Sequence, residues 1–252
     1  EGTVMYAEIY RGFGELTIRC RELGVVSAEG FDNSCVTYGR RWHLEKREHQ
    51  ADLALLLTVV LRPYATHAAT PCTKMCLIGP KKIDSDTWNQ NEFSRKMTSH
   101  QAKNGLLASE EQPEGSLLHS QPERVKEFGT IDCPTNPWVF FRADGCQHHH
   151  RYPGRDADYG KPHHKSQVWM ANFNLDTLEL TCTNYHNGRK FVQDALIGTP
   201  HEHKVIQGQM TVQGDGWGEE PKTIAVARAS GRYNPEISTA YAADLRSSIE
   251  VL

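Results

Sequence analysis

The sequence predicts one α/β domain, built on a mostly parallel sheet flanked by helices, and three observations predict it. Short β-prone runs alternate with helical spacing over the first 120 residues, which is the signature of βαβ units. A glycine-bearing turn joins the first such run to the first helix, and an acid, Asp32, closes the second run. Beyond residue 120 the alternation gives way to a stretch rich in proline, glycine, histidine and aromatics. Residues 120–162 hold too little apolar sequence for a core of their own, so the expectation is a single domain over 1–252 with an irregular insertion or cap at 120–162.

The elements follow in order. Thr3–Ile9 is β-prone and runs into the turn Tyr10-Arg11-Gly12-Phe13-Gly14. Glu15–Leu23 carries Leu16, Cys20 and Leu23 at helical spacing, with Gly24 as a stop. Val25–Phe31 is a second strand, ended by Asp32-Asn33-Ser34. Asp52–Leu61 reads as an apolar helix halted by Pro63. Ala65–Ala69 is a strand entering Thr70-Pro71-Cys72, and Phe93–Asn104 is a polar helix. A strand near Leu106–Ser109 leads to the turn Glu111-Gln112-Pro113. Lys165–Phe173 and Leu178–Thr183 read as strands, Arg189–Leu196 as a short helix and Ser238–Ser247 as a terminal helix.

Composition narrows the function classes. Hydrophobic residues make up 38% and charged residues 23%, with a formal net charge of −3. That balance argues against coating nucleic acid through bulk charge, while leaving a local basic groove open. No run reaches the ~18–20 apolar residues of a membrane span. Seven cysteines, an odd count without a CxxC pair, suit a reducing, intracellular compartment, nucleus and organelle being equally open. His148–His150, His163-His164 and the His201/His203 pair are zinc ligands by type, but their spacings with Cys146 and Cys182 match no tight finger, and no metal is assigned.

Strand, Gly-x-Gly turn, helix, strand and acid is the order that builds a nucleoside crevice. Gly12 and Gly14 lack a Cβ and permit close backbone approach. Asp32, eighteen positions beyond Gly14, can accept ribose hydroxyls. The third glycine of a dinucleotide fingerprint is absent, so a nucleoside without a pyrophosphate fits better than NAD. Asp52 falls where a further acid could meet an adenine amino group, and equally where a helix cap belongs. Cys72, behind a proline of fixed φ, is placed as a nucleophile that needs a thiolate form. Glu111 is placed as a carboxyl that could protonate or orient a ring.

The ordered series Glu8-Ile9-Tyr10-x-Gly12-x-Gly14, Gly30-Phe31-Asp32, Asp52-Leu53, Pro71-Cys72 and Glu111-Gln112-Pro113 resembles the motifs of cytosine-C5 DNA methyltransferases. The segment Glu111–Leu118 is also similar to that of divergent phage and protist members, and the likeness covers roughly the first 120 residues. The resemblance implies a Rossmann-like class I methyltransferase fold and S-adenosylmethionine as cofactor. It implies a cofactor site at Tyr10, Gly12, Gly14, Asp32, Asp52 and Pro71. Cys72 would add to C6 of a flipped cytosine in DNA or RNA, Glu111 would contact N3, and the methyl group would pass to C5. Lys74, Lys81 and Lys82 would face phosphates.

The sequence also departs from the family. Tyr10 replaces a phenylalanine, Gln112 replaces an asparagine, and Gln167-Val168-Trp169-Met170-Ala171 lacks both arginines of the usual Gln-x-Arg-x-Arg element. Those missing arginines, with the acidic net charge, favour an alternative: an inactive protein of the same fold, a binding or structural subunit of a larger assembly. A third reading is a small-molecule methyltransferase in which Cys72 is incidental.

Overall fold

The computed structural model describes residues 3–71, 84–149, 162, 165–182, 191–193, 200–202, 209–212, 222–225 and 233–251. Its centre is a five-stranded sheet in the spatial order β1 (Tyr6–Ile9), β4 (Ala65–Ala68), β5 (Leu107–Pro113), β9 (Ser166–Ala171) and β8 (Val139–Asp144). The pairs β1–β4 and β4–β5 are parallel, while β9 runs antiparallel to both β5 and β8. The segment holding Ser27 and Phe31 joins the outer edge of β1 through two parallel bridges. Five of these six segments therefore point the same way, with β9 alone reversed. This is a Rossmann-like α/β architecture with one reversed strand.

Helices cover both faces. The pleat sends Tyr6, Ala65, Leu107, Phe141, Trp169 and Ala171 into one layer, where α1 (Glu15–Glu22) and α5 (Pro235–Ile249) add Leu16, Cys20, Ile237, Tyr241 and Leu245. Ala7, Ile9 and Ala68 point the other way, against Leu53 and Leu57 and against Phe93 and Met97. Leu53 belongs to α2 (Arg47–Leu55), Leu57 to its π-helical continuation Leu56–Leu61, and the last two to α3 (Ser85–Lys103). The short α4 (Pro122–Phe128) seals this second layer through Phe128, which packs with Trp138, Ala108 and Met170.

Small ladders complete the described chain: β2 (Val36–Thr37) with β3 (Arg40–Arg41), and β6 (Gly129–Thr130) with β7 (Cys133–Pro134). Farther along, β10 (Phe191–Gln193) pairs with β11 (Pro200–Glu202), and β12 (Gln209–Val212) with β13 (Lys222–Ala225).

Several boundaries differ from the sequence expectation, each for a physical reason. Helix α2 begins at Arg47, five residues before Asp52, and its N-cap is Lys46. Helix α3 begins at Ser85 rather than Phe93, because the Asp84 carboxylate caps it by accepting Thr87 N–H at 2.9 Å. Strand β5 continues through Pro113, so Glu111-Gln112-Pro113 is strand and not the turn beyond it. Within 120–162, Val139–Asp144 is a strand of the main sheet. Leu178 and Cys182 are buried but lie outside any strand, since the Asp144 carboxylate takes the Cys182 N–H at 2.6 Å in place of a ladder partner. Of Arg189–Leu196, residues Phe191–Gln193 form a strand, and the remainder lies outside the described residues.

Candidate functional site

A parallel sheet buried on both faces calls for near-continuous apolar strands. These central strands break that rule at one end. Glu8, His67 and Ser109 sit in direct register on β1, β4 and β5, and all three are buried. Glu110, Glu111 and Gln112 follow on β5, also buried. Polar side chains in such places persist only when each finds a partner.

The loops at the carboxyl ends of the strands are tied to one another in sequence across the sheet. Gly12 N–H donates to Asp32 Oδ2 at 3.3 Å, and Ser34 donates its own N–H to Oδ1 at 2.7 Å. Tyr10 N–H donates to the Phe31 carbonyl at 2.8 Å, and Ala69 N–H to that of Ile9 at 3.1 Å. Gln112 Nε2 donates to the Thr70 carbonyl at 2.8 Å, holding the β4 exit against β5. Tyr10, Gly12, Gly14, Asp32, Pro71 and Glu111 therefore share one edge of the sheet. Cys72 lies outside the described residues, as do Lys74, Cys76, Lys81 and Lys82.

The glycine turn needs its glycines. Gly12 and Gly14 both take left-handed backbone, at φ 55° and 74°. A Cβ on Gly12 would meet open space, whereas one on Gly14 would lie 2.1 Å from Arg11 Nε. The Arg11 side chain thus lies along the turn, with a flexible guanidinium end that can move aside. Tyr10 is buried, and its hydroxyl donates to the Gln90 carbonyl at 3.2 Å. Burial, the largest cause, pushes its phenol far above the ordinary range.

Asp52 does not join this edge. It sits within α2, its side chain about half exposed, and pairs with Arg40 Nη2 at 2.8 Å. The early start of α2 at Arg47 carries Asp52 into mid-helix, so neither a strand end nor a helix cap is its position.

Three carboxyl groups are enclosed near the edge, in three different ways. Glu8 Oε2 accepts the Thr17 hydroxyl at 2.6 Å and the Thr17 N–H at 3.2 Å, fastening β1 to the first turn of α1. Burial nonetheless dominates and pushes Glu8 up to about 7. Glu110 faces α4 and pairs with the Arg124 guanidinium. Glu111 faces the opposite layer, where Tyr233 Oη donates to its Oε2 at 2.9 Å. Burial raises Glu111 above the usual carboxylate range, opposed by the charge of Lys165 and by hydrogen bonding from Tyr233 and Gln167. Its other oxygen, Oε1, is buried without a hydrogen-bond partner.

His67 and Tyr233 were not singled out in the sequence. His67 lies amid the small residues of Ala65–Ala69, and a histidine in a strand otherwise fit for full burial was the available signal. Tyr233 carried none, because its link to Glu111 spans 122 positions. Trp169 is fully buried among His67, Tyr233 and Tyr241, a core position. His148 is buried with Nε2 2.9 Å from the Leu178 carbonyl. Among the described residues, no group of three His, Cys, Asp or Glu side chains could hold a metal ion. Nor is any helix of the described residues long and apolar enough to cross a membrane.

No family model matches the chain, and no curated protein does. Among solved structures it is similar to one described as a DNA modification methyltransferase encoded within an E. coli prophage, at 13% identity and a TM-score of 0.39. The match covers 86% of this chain and 62% of that one, so this chain spans less than two thirds of its neighbour. At that score the likeness decides nothing about chemistry, which rests on the residues themselves.

Proposed function

We propose that this protein is an S-adenosylmethionine-dependent methyltransferase that modifies cytosine at C5 in nucleic acid, with Cys72 as nucleophile and Glu111 as the ring-facing acid. One observation carries the reading: Glu111 is a carboxyl raised by burial, on the strand whose next residue, Gln112, holds the carbonyl of Thr70, two positions before Cys72. A carboxyl whose hold on its proton is strengthened by burial is better suited to donate to a ring nitrogen than an ordinary carboxylate.

The Gly12–Gly14 turn and Asp32 fit a nucleoside cofactor. The space beside Gly12 is open, the Arg11 guanidinium can swing from Gly14, and the Asp32 carboxylate sits at the partly exposed rim. When bound, S-adenosylmethionine supplies an electrophilic methyl group. The chain's own residues do the rest. The Cys72 thiolate bonds to C6 as Glu111 donates toward N3, making C5 electron-rich for methylation. Loss of the C5 proton to water then restores the C5–C6 double bond and releases the thiolate, while N3 returns its proton to Glu111.

The test has two stages. Calorimetry should detect cofactor binding in the wild-type chain, weakened by roughly tenfold or more in Asp32→Ala, where a charge-assisted acceptor is lost. Nucleic acid carrying 5-fluorocytosine should then trap Cys72 covalently, because fluorine does not leave as a proton does. Cys72→Ser should lose the adduct and Cys76→Ser should keep it.

A second reading, a retired active site serving as a binding or structural subunit, is favoured by β9. In the register opposite Glu111 stands Trp169, and Gln167–Ala171 places no cation there. Absence of cofactor binding in the wild-type protein selects this reading.

A further inference from the structure

The hairpin β2–β3 departs from its own turn rules at Tyr38. Tyr38 and Gly39 join Val36–Thr37 to Arg40–Arg41, and both take left-handed backbone, at φ 50° and 80°. A hairpin turn with positive φ at both positions favours asparagine and glycine, and a bulky side chain there is strained. Such strain persists where the surroundings hold it, and it points to a use for the side chain.

The surroundings fix the Tyr38 ring as a flat shelf. It lies on the buried Phe31, with ring centroids 5.7 Å apart and planes 11° from parallel. Tyr38 is nonetheless 52% exposed, so a ring held on one side is open to solvent on the other. Phe31 also meets Trp42 edge to face at 5.3 Å, and the Arg40 guanidinium lies 4.0 Å over the Trp42 ring. Trp42 Nε1 donates to the Thr37 carbonyl at 2.9 Å, and the Thr37 hydroxyl to that of Gly30 at 3.0 Å. The hairpin is thereby locked to the outer edge of the sheet.

This lobe is cationic in a chain of net charge −3. Positions 40–47 hold Arg40, Arg41, Lys46 and Arg47 against one acid, Glu45, which bonds to His43. Glu48 follows, and Asp52 engages Arg40. Among the described residues no ion pair includes Arg41, Lys46 or Arg47, and all three are exposed. Lys46 and Arg47 open α2, where the helix dipole disfavours cations, so helix stability does not account for them. The Arg40–Asp52 pair and the contact of the Trp42 and His49 rings at 6.4 Å hold this end of α2 against the hairpin.

An exposed flat ring beside unpaired cations is the arrangement that takes a stacked base and its flanking phosphates. A duplex hides its base faces, so the shelf suits an unpaired nucleotide. We propose that the β2–β3 lobe binds a single-stranded stretch of nucleic acid, with a base stacked on Tyr38 and phosphates on Arg41, Lys46 and Arg47. The proposal deepens the nucleic-acid reading above and rests on it for any link to methylation. Arg41 Nη1 donates to the carbonyls of Asn33 and Ser34 at 3.0 and 2.9 Å, so the lobe adjoins the Asp32 loop.

Fluorescence anisotropy with labelled oligothymidylate of ~12 nucleotides, without cofactor, tests this. Wild-type protein should bind with a Kd of roughly 1–100 μM at physiological salt, and no binding in that range overturns the proposal. Tyr38→Asn keeps a residue the turn accepts and removes the ring. It should weaken binding roughly tenfold with an unchanged salt slope, whereas Tyr38→Phe should bind within about twofold of wild type. The double variant Lys46→Gln/Arg47→Gln should flatten the logarithmic salt slope by about 1.4, two contacts at about 0.7 each. Wild-type affinity in Tyr38→Asn, or a wild-type slope in the double variant, overturns the proposal. A duplex offers no open base face, so an equal loss of duplex binding in Tyr38→Asn overturns it too. Oligouridylate should show the same losses, because stacking and charge do not read the sugar; binding confined to one sugar contradicts that grip. The assay needs neither cofactor nor turnover, so failure of the methyltransferase reading leaves it interpretable, and its own failure leaves Cys72 trapping untouched.

Discussion

Glu110 and Glu111 are neighbours on one strand and live in opposite worlds. The pleat turns Glu110 toward α4, where a guanidinium partners it, and turns Glu111 toward α1 and α5, where the nearest partner is a neutral phenol. One acid is held in an ion pair and the other by a hydroxyl hydrogen bond. The difference teaches that sequence adjacency in a strand says little about chemistry, because alternate residues answer to different layers. A paired acid is structural glue, whereas one bonded to a neutral phenol has its hold on a proton strengthened by burial.

Three substitutions can break or sharpen that contrast. The largest effect is expected for Arg124→Ala. It leaves the Glu110 carboxylate, 2% exposed, without its cation. Stranding one member of a buried ion pair costs about 3–5 kcal/mol, read by urea unfolding. A loss below about 1 kcal/mol would mean that Glu110 is not held by charge at all.

Next comes Glu8→Gln, which addresses the third enclosed acid. In the folded state Glu8 keeps its proton up to about 7, whereas an exposed glutamate releases it near its ordinary value of 4.5. The unfolded chain therefore gains by ionising across that window, and stability falls as pH rises from 4.5 to about 7. Linkage puts this loss at about 3 kcal/mol. His67 acts in the opposite sense. Its pKa is pushed down to about 3, so its contribution to stability grows as pH rises from 3 to 6.5. The wild-type curve sums the two, and subtracting the Glu8→Gln curve isolates the acid. A flat difference between pH 4.5 and 7 would show Glu8 to be ionised throughout.

The smallest effect on stability is expected for Glu111→Gln, within about 1 kcal/mol by thermal melting. A glutamine copies the protonated acid in shape and still accepts from Tyr233. A loss as large as that of Arg124→Ala would erase the distinction between the two faces.

Much of the frame was legible in residue order. Thr3–Ile9, the Gly12–Gly14 turn and the helix after it follow from β-propensity, positive-φ glycines and helical spacing, all of which are local. What escaped depended on distant partners. Glu111-Gln112-Pro113 reads as a turn because the polar run from Glu110 to Gln112 does not belong in a buried strand, unless Arg124, Tyr233 and the Thr70 carbonyl await it. Val139–Asp144 hides among prolines and glycines, yet β9 pairs along its whole length. Asp52 could be assigned to a site only by counting residues, and the helix began earlier than its apolar pattern announced.

Helix α5 has one more consequence, and it concerns the order of events during synthesis. Tyr233 reaches His67 across 166 positions, and Tyr241 reaches Ser109 across 132. The glycine turn needs only its neighbours, so it can form on a short nascent chain. The acid end cannot, because contacts this remote carry the full entropy of loop closure. A chain still emerging from the ribosome would thus own its glycine turn before Glu111 and Ser109 met their partners. The buried hydroxyls that meet Glu111 and Ser109 arrive only with residues 233–241.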